Sequence, residues 1–192
     1  MNNPEFKVYT GPMWGSKSTQ LLMEIERYKY QDKKVAVFKP KMDDRYSTSE
    51  IVTHMGWKLT ANAVQDGADV VRFLADSDQS YDVLVVDELF MIPGIAEVLI
   101  WLFRNGFTVI VASLDLSSSG KAFKEVEKIL PWATFIKKCP AVCTTCGRDA
   151  YYTHKKATEV KEEISVGGGE TYEPRCFQCH LIVNKKIDEM PK

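Results

Sequence analysis

The sequence predicts an α/β protein, a parallel β-sheet covered by helices on both faces, followed by a small cysteine-bearing C-terminal subdomain. Three observations carry this reading. Up to about Trp132, short runs rich in β-branched residues alternate with helical patterns. The first of these runs leads through a glycine-containing loop, Gly11 to Ser18, directly into the first helical pattern. All five cysteines fall in the last third of the chain, where the alternation fades.

The elements follow in order. Phe6-Lys7-Val8-Tyr9 is short and β-prone, and Leu21, Leu22, Ile25 and Tyr28 then recur at the spacing of one helix face. Val35-Ala36-Val37-Phe38 is the second strand candidate, and Val70, Val71 and Leu74 mark the next helix. Val83-Leu84-Val85-Val86 is the third strand, Val98, Leu99, Leu102 and Phe103 repeat at helical spacing, and Val109-Ile110-Val111-Ala112 is the fourth strand. Near-continuous apolar strands separated by helices imply a parallel sheet, since right-handed crossovers lay helices over both of its faces. After Pro131 the helical periodicity gives way to Thr/Val/Gly-rich stretches with Gly167-Gly168-Gly169 as a turn. The boundary is read near residue 138, giving segments 1–137 and 138–192.

With 192 residues and 45% hydrophobic content, the chain can bury one sizeable core plus an appendage. Twenty-five basic against 26 acidic residues leave no global field to steer the chain toward nucleic acid or an anionic membrane, so any phosphate must be held locally. Lys155, Lys156, Lys161, Lys185 and Lys186 are interspersed with acids, which weakens a nucleic-acid-binding reading of the cysteine region. The first residues lack the basic and apolar pattern of a signal peptide. The apolar stretch Ile92 to Phe103 contains Glu97 and is far shorter than the ~20 residues a membrane span needs. An odd number of cysteines argues against a disulfide framework and for a reducing compartment, so a cytoplasmic protein with no membrane partner is expected.

Gly11-Pro12-Met13-Trp14-Gly15-Ser16-Lys17-Ser18-Thr19 stands where a Walker A loop belongs, between a strand and a helix. Backbone N–H groups at such a helix start face phosphates, Lys17 would reach the β and γ oxygens, and the Ser18 hydroxyl would ligate magnesium. The pattern G-x-x-x-x-G-K-[ST] asks for glycine at position 16, where this chain has Ser16 and carries the glycine one position earlier, at Gly15. An ordinary strand-to-helix turn would also contain glycine, but the Lys17-Ser18-Thr19 sequence favours phosphate. Asp87-Glu88 ends an apolar strand, the place of a Walker B acid, because ligands of parallel sheets sit beyond the carboxyl ends of strands. One carboxylate could serve hydrated magnesium while the other faces the phosphoryl acceptor.

Cys143-Thr144-Thr145-Cys146 and Cys176-Phe177-Gln178-Cys179 form two C-x-x-C pairs, each able to grip one edge of a tetrahedral zinc. A redox C-x-x-C accounts for only one pair at a time. A subdomain of some fifty residues needs such a staple, and a structural zinc supplies about 10–16 kcal/mol. Cys139 is expected to be a small buried or semi-buried side chain outside the quartet. His54, His154 and His180 are expected not to ligate.

Taken together, the Gly11 to Thr19 loop, Asp43-Asp44-Arg45-Tyr46-Ser47, Thr53-His54, Asp87-Glu88, Leu114-Asp115, the stretch Ala141 to Cys146, Ala150 to Thr153, and Gly168 through Tyr172 to Cys176 resemble the type II thymidine kinases. The resemblance covers nearly the whole chain. It implies a P-loop, RecA-like sheet and a zinc-ribbon subdomain carrying a loop, about Thr153 to Tyr172, that closes over the nucleoside. It implies transfer of the γ-phosphoryl of magnesium-ATP to the 5′-hydroxyl of deoxythymidine, with Glu88 as general base. Asp87, Ser18 and Asp43 would attend magnesium, and Arg45 would lie beside the phosphates. Met13, Phe123, Thr153 and Tyr172 would line the nucleoside pocket, and the family pattern suggests a tetramer. The chain departs from that pattern at Ser16, at Leu89-Phe90 where a small residue and glutamine are usual, and at Ser118 where an aromatic is common. These departures leave two other readings open, a deoxynucleoside kinase with shifted base preference and a catalytically weakened nucleotide-binding homologue.

Overall fold

Every residue of the first and third predicted strands is buried, so these segments have no solvent-facing side and must be covered twice. The computed structural model describes residues 3–43, 50–52, 56–156 and 167–180. Its elements are β1 (Phe6–Thr10), α1 (Lys17–Lys29), β2 (Val35–Pro40), β3 (Glu50–Val52), β4 (Lys58–Thr60), β5 (Asn62–Val64), α2 (Gly67–Asp76), β6 (Val83–Val86), α3 (Ile95–Arg104), β7 (Thr108–Ser113), α4 (Lys124–Ile129) and β8 (Phe135–Lys138). They are followed by β9 (Ala141–Val142), β10 (Asp149–Ala150), β11 (Tyr152–Lys155) and β12 (Tyr172–Arg175).

The main sheet has six strands in the order β5-β2-β6-β7-β1-β8, with every neighbouring pair parallel. The twofold alternation of side chains divides each central strand between two cores. Phe6, Val8, Leu84, Val86, Val109 and Val111 face one side, where Val70 of α2, Ile95, Leu99 and Leu102 of α3, and Val126 and Ile129 of α4 cover them. Tyr9, Val83, Val85, Ile110 and Ala112 face the other side, where Leu21, Ile25 and Tyr28 of α1 cover them. The α/β class read from the sequence is therefore the architecture observed.

Helix α1 is also pinned by polar groups. Lys7 Nζ lies 3.1 Å from Glu24 Oε2, the Tyr9 hydroxyl donates to Glu24 Oε1 at 2.7 Å, and the Tyr28 hydroxyl donates to Glu5 Oε2 at 2.6 Å. Because Lys7 is largely buried, leaving its ammonium without these partners would cost far more than the pairing itself gains. This fixes the axis of the helix whose first turn carries Lys17 and Ser18.

Three elements of the main sheet and its cover lie outside the predicted set: β5, α4 and β8. The edge strand β8, Phe-Ile-Lys-Lys, is exposed along its whole length and is held by pairing with β1 rather than by an apolar pattern. It carries the parallel sheet to Lys138, and the chain then enters two small antiparallel sheets, β9 with β10 and β11 with β12. The buried cluster of this last region consists of Ala141, Cys143, Ala150 and Cys176. Among the described residues, no helix is long and apolar enough to cross a membrane.

Candidate functional site

The chain leaves β1 at Thr10 and turns through 11–16 into α1 at the carboxyl edge of the sheet. Two glycines allow this turn for different reasons. Gly11 adopts φ +129°, outside the range of residues with a side chain, and a Cβ there would lie 2.2 Å from the Cys139 carbonyl oxygen. Gly15 has no unusual φ, but a Cβ on it would come within 2.8 Å of the same oxygen. The glycine at position 15 is therefore demanded by a neighbour 124 residues further along the chain. Ser16 immediately precedes α1 at φ 56° and ψ 26°, left-handed backbone that glycine adopts at no steric cost.

Lys17 is buried and turned back over its own loop, its Nζ donating to the Pro12 carbonyl at 2.6 Å. Burial lowers its pKa, opposed by the negative charges of Glu88 and Asp87. The Ser18 hydroxyl donates to Asp87 Oδ2 at 2.9 Å, joining the loop after β1 to the acid after β6. Asp87 Oδ1 accepts the backbone N–H of Glu88 at 3.0 Å. Burial and then the Glu88 charge push the Asp87 carboxyl up to about 7, against the pull of Ser18 and Lys17. Glu88 is left-handed, φ 49° and ψ 44°, so the chain swings aside immediately after Asp87 while the Glu88 charge still acts on Asp87 and Lys17. Asp43 is buried just beyond the end of β2, the strand paired with β6. Arg45 lies outside the described residues, as does His54.

The hydroxyl of Ser18 and the carboxylate of Asp87, near a buried lysine suited to phosphate, are hard oxygen donors of the kind magnesium takes, and Asp43 offers another at the end of the neighbouring strand. One further acid stands near. Asp115 Oδ2 accepts the Thr10 hydroxyl at 2.6 Å and pairs with Lys138 Nζ at 2.9 Å, tying the ends of β1, β7 and β8 together beneath the loop. Leu114-Asp115 formed part of the family resemblance without a role, while Lys138 gave no signal in the sequence.

Of the four residues matched to a nucleoside pocket, Met13 and Thr153 meet directly, the Met13 N–H donating to Thr153 Oγ1 at 3.1 Å. Phe123 is buried in the same apolar cluster against which Met13 packs, and its ring lies 4.5 Å from that of Phe90. Tyr172 is buried on β12, opposite Lys155, whose ammonium is 5.8 Å from the ring centre. Much of the closing segment, 157–166, lies outside the described residues.

The two C-x-x-C pairs converge. The sulfur atoms of Cys143, Cys146, Cys176 and Cys179 all lie within 4.8 Å of one another, and those of Cys146 and Cys176 are 3.6 Å apart. Four thiolates at about 2.3 Å from one tetrahedral ion would be about 3.8 Å apart, so the quartet fits zinc. Burial opposes ionisation of Cys143, but backbone N–H groups of Cys176, Thr145 and Cys146 outweigh it and bring the thiol down to about 6. Cys139 is buried and apart from the quartet, its Sγ 3.8 Å from the Lys137 carbonyl. His180 is fully buried, but Nε2 faces the Thr153 carbonyl at 3.1 Å rather than the sulfurs. A protein-family model described as thymidine kinase matches residues 5–180.

Proposed function

The chain belongs to the thymidine kinase family, and from that premise we propose that it transfers the γ-phosphoryl group of ATP to the 5′-hydroxyl of deoxythymidine. The observation that carries the reading is the 2.9 Å bond from Ser18 to Asp87, with Glu88 next to it in left-handed backbone and its charge acting on Lys17. It brings a phosphate loop and an acid strand to one edge of the sheet while leaving one carboxylate for each task.

In this reading the loop 11–19 cradles the triphosphate, and Lys17 exchanges its Pro12 carbonyl partner for the β and γ oxygens. Ser18, Asp87 and Asp43 would hold magnesium, which would supply positive charge to neutralise the phosphate oxygens. Glu88 accepts the proton of the 5′-hydroxyl as that oxygen forms its bond to the γ-phosphorus. The bond from the γ-phosphorus to the bridging oxygen breaks, and ADP departs with the electron pair. Arg45 belongs beside the phosphates. Met13, Phe123, Thr153 and Tyr172 hold the nucleoside, under a lid formed by the segment from about 153 to 172.

The cysteine quartet holds a structural zinc, the segment from 138 onward acts as a lid-bearing subdomain, and the enzyme works in the cytoplasm as a homo-oligomer, a tetramer by family pattern. Base preference is the point at which a second reading has its own support. Phe90, in place of the usual glutamine, has its ring 4.5 Å from that of Phe123 and puts an apolar group where an amide is usual, which favours a broadened deoxynucleoside range. Labelled ATP with a panel of deoxythymidine, deoxyuridine and deoxycytidine tests both. A labelled 5′-monophosphate of deoxythymidine in excess of the others supports the first reading, a flat panel supports the second, and no product from any of them overturns both.

A further inference from the structure

Trp14 belongs to the phosphate loop by sequence, but its side chain leaves the loop and packs on the cysteine region, against the cluster of Ala141, Cys143, Ala150 and Cys176 with Cys179 beside it. Gly169 lies over the same ring, a Cβ there falling 3.7 Å from Trp14 Cζ2. The backbone of Trp14 is left-handed, φ 63°, a conformation that a bulky residue keeps only where its surroundings hold it. The neighbours of Trp14 are tied to the same region. Met13 N–H donates to Thr153 Oγ1 at 3.1 Å, and the Thr153 carbonyl is 3.1 Å from Nε2 of His180, the residue next to Cys179. The Cys139 carbonyl closes against Gly11 and Gly15, where no side chain would fit. Four of the loop's residues, 11, 13, 14 and 15, thus abut the segment that begins at Cys139.

We propose that Trp14 is a positioning residue that locks the phosphate loop onto the cysteine-bearing subdomain, so that assembly of the cysteine site sets the affinity for the nucleoside triphosphate. The inference rests on the loop's proposed role in binding ATP. Two residues of the cluster on which Trp14 packs, Cys143 and Cys176, are ligand positions of the zinc site. Any change that lets them part also removes the support of the ring. The loop then samples conformations that do not match the phosphates, and apparent affinity falls by the fraction of time spent in them.

The test uses the full chain with Trp57→Phe, Trp101→Phe and Trp132→Phe, three exposed positions outside the loop, so that Trp14 is the sole indole. Removing zinc with a chelator should shift Trp14 emission to the red and raise the ATP dissociation constant about tenfold, and added zinc should reverse both. In the otherwise native chain, Trp14→Ala should raise KM for ATP about tenfold while kcat, KM for deoxythymidine and zinc content stay within about twofold, and Trp14→Phe should restore ATP binding. Unchanged emission on zinc removal, or normal ATP binding by a folded Trp14→Ala protein, overturns the proposal. If Trp14→Ala does not fold, the chelation experiment on the retained Trp14 decides. Failure of the zinc-loaded protein to bind ATP would sink the kinase reading, whereas the emission response would still decide whether Trp14 is docked on the metal site.

Discussion

The parallel sheet and the cysteine region reach order by different means. In the sheet, β1 and β6 are buried throughout, and large side chains such as Phe6, Phe38, Leu84, Ile110 and Leu99 are fully covered. In the cysteine region, β9 and β10 are two residues each and the buried cluster is two alanines and two cysteines. At about 25 cal/mol per Å² of apolar surface, so small a cluster cannot offset the conformational entropy of the chain around it. One part of this protein is thus held by packing, whereas the other depends on the hold that a metal on its four converging sulfurs could give. The candidate site lies at their seam, with its acids on the packed side and the ring of Trp14 on the ligated side.

The largest expected effect breaks the ligated half alone. Cys143→Ser removes one of the four sulfurs from a site where a bound zinc would be worth about 10–16 kcal/mol. Zinc should fall well below one per chain, and amides of the region after Cys139 should exchange freely, while those of β1, β6 and β7 stay protected. Hydrogen exchange with metal analysis reads both. Loss of protection in the sheet at the same time would show that the two regions are one cooperative unit.

Next comes the acid on the packed side. The Asp87 carboxyl ionises near 4 when unfolded but at about 7 in the folded chain. Between those values the folded state holds a proton that the unfolded state has lost, so this group's contribution to stability declines as pH rises from 4 to 7 and then levels off. Its span is at most about 4 kcal/mol. Asp87→Asn should therefore stabilise the metal-free protein relative to the native chain at pH 8 and much less at pH 5, as measured by thermal unfolding. For the same reason, magnesium-dependent nucleotide binding should strengthen as pH rises through 7, and the Asn variant should lose that dependence. An equal stability difference at both pH values would mean that Asp87 is ionised throughout.

Glu88→Gln probes the same side through rate. Turnover should fall about 10²-fold or more with ATP affinity within a few-fold, the pattern of a lost general base. Zinc content should not change. Near-normal turnover would assign the base to another residue.

The smallest effect sits at the seam. Ser16→Gly removes a Cβ from left-handed backbone, and kcat/KM for ATP should rise by up to about tenfold for each 1.4 kcal/mol of strain released in the bound or transition state. Steady-state kinetics of the two proteins decide it. No gain in the glycine variant would show that the contacts around the loop accommodate Ser16 without penalty.

Several features were readable because their signals are local. A buried parallel strand must be apolar along its length, which exposed β1, β2, β6 and β7, and two C-x-x-C pairs announce a four-sulfur cluster by spacing alone. Strand β8 gave no such signal, because an exposed edge strand depends on its neighbour β1 rather than on its own side chains. Helix α4, at six residues, is too short for a period to register.

By itself, the sequence determined the α/β class, the strand-loop-helix order around Lys17 and Ser18, the acid pair ending β6 and the sulfur quartet, because each depends on residue type at short range. Only the tertiary structure decided why glycine stands at position 15 rather than 16. The Cys139 carbonyl comes from beyond β8 and takes the space that a side chain at 15 would need, while the left-handed position at 16 falls to serine. It likewise decided that Trp14 packs on the cysteine cluster and that Asp115 joins Thr10 and Lys138. Apart from the Asp115–Lys138 pair, these contacts link residues more than a hundred positions apart, and no pattern along the chain encodes which distant atom a loop will meet.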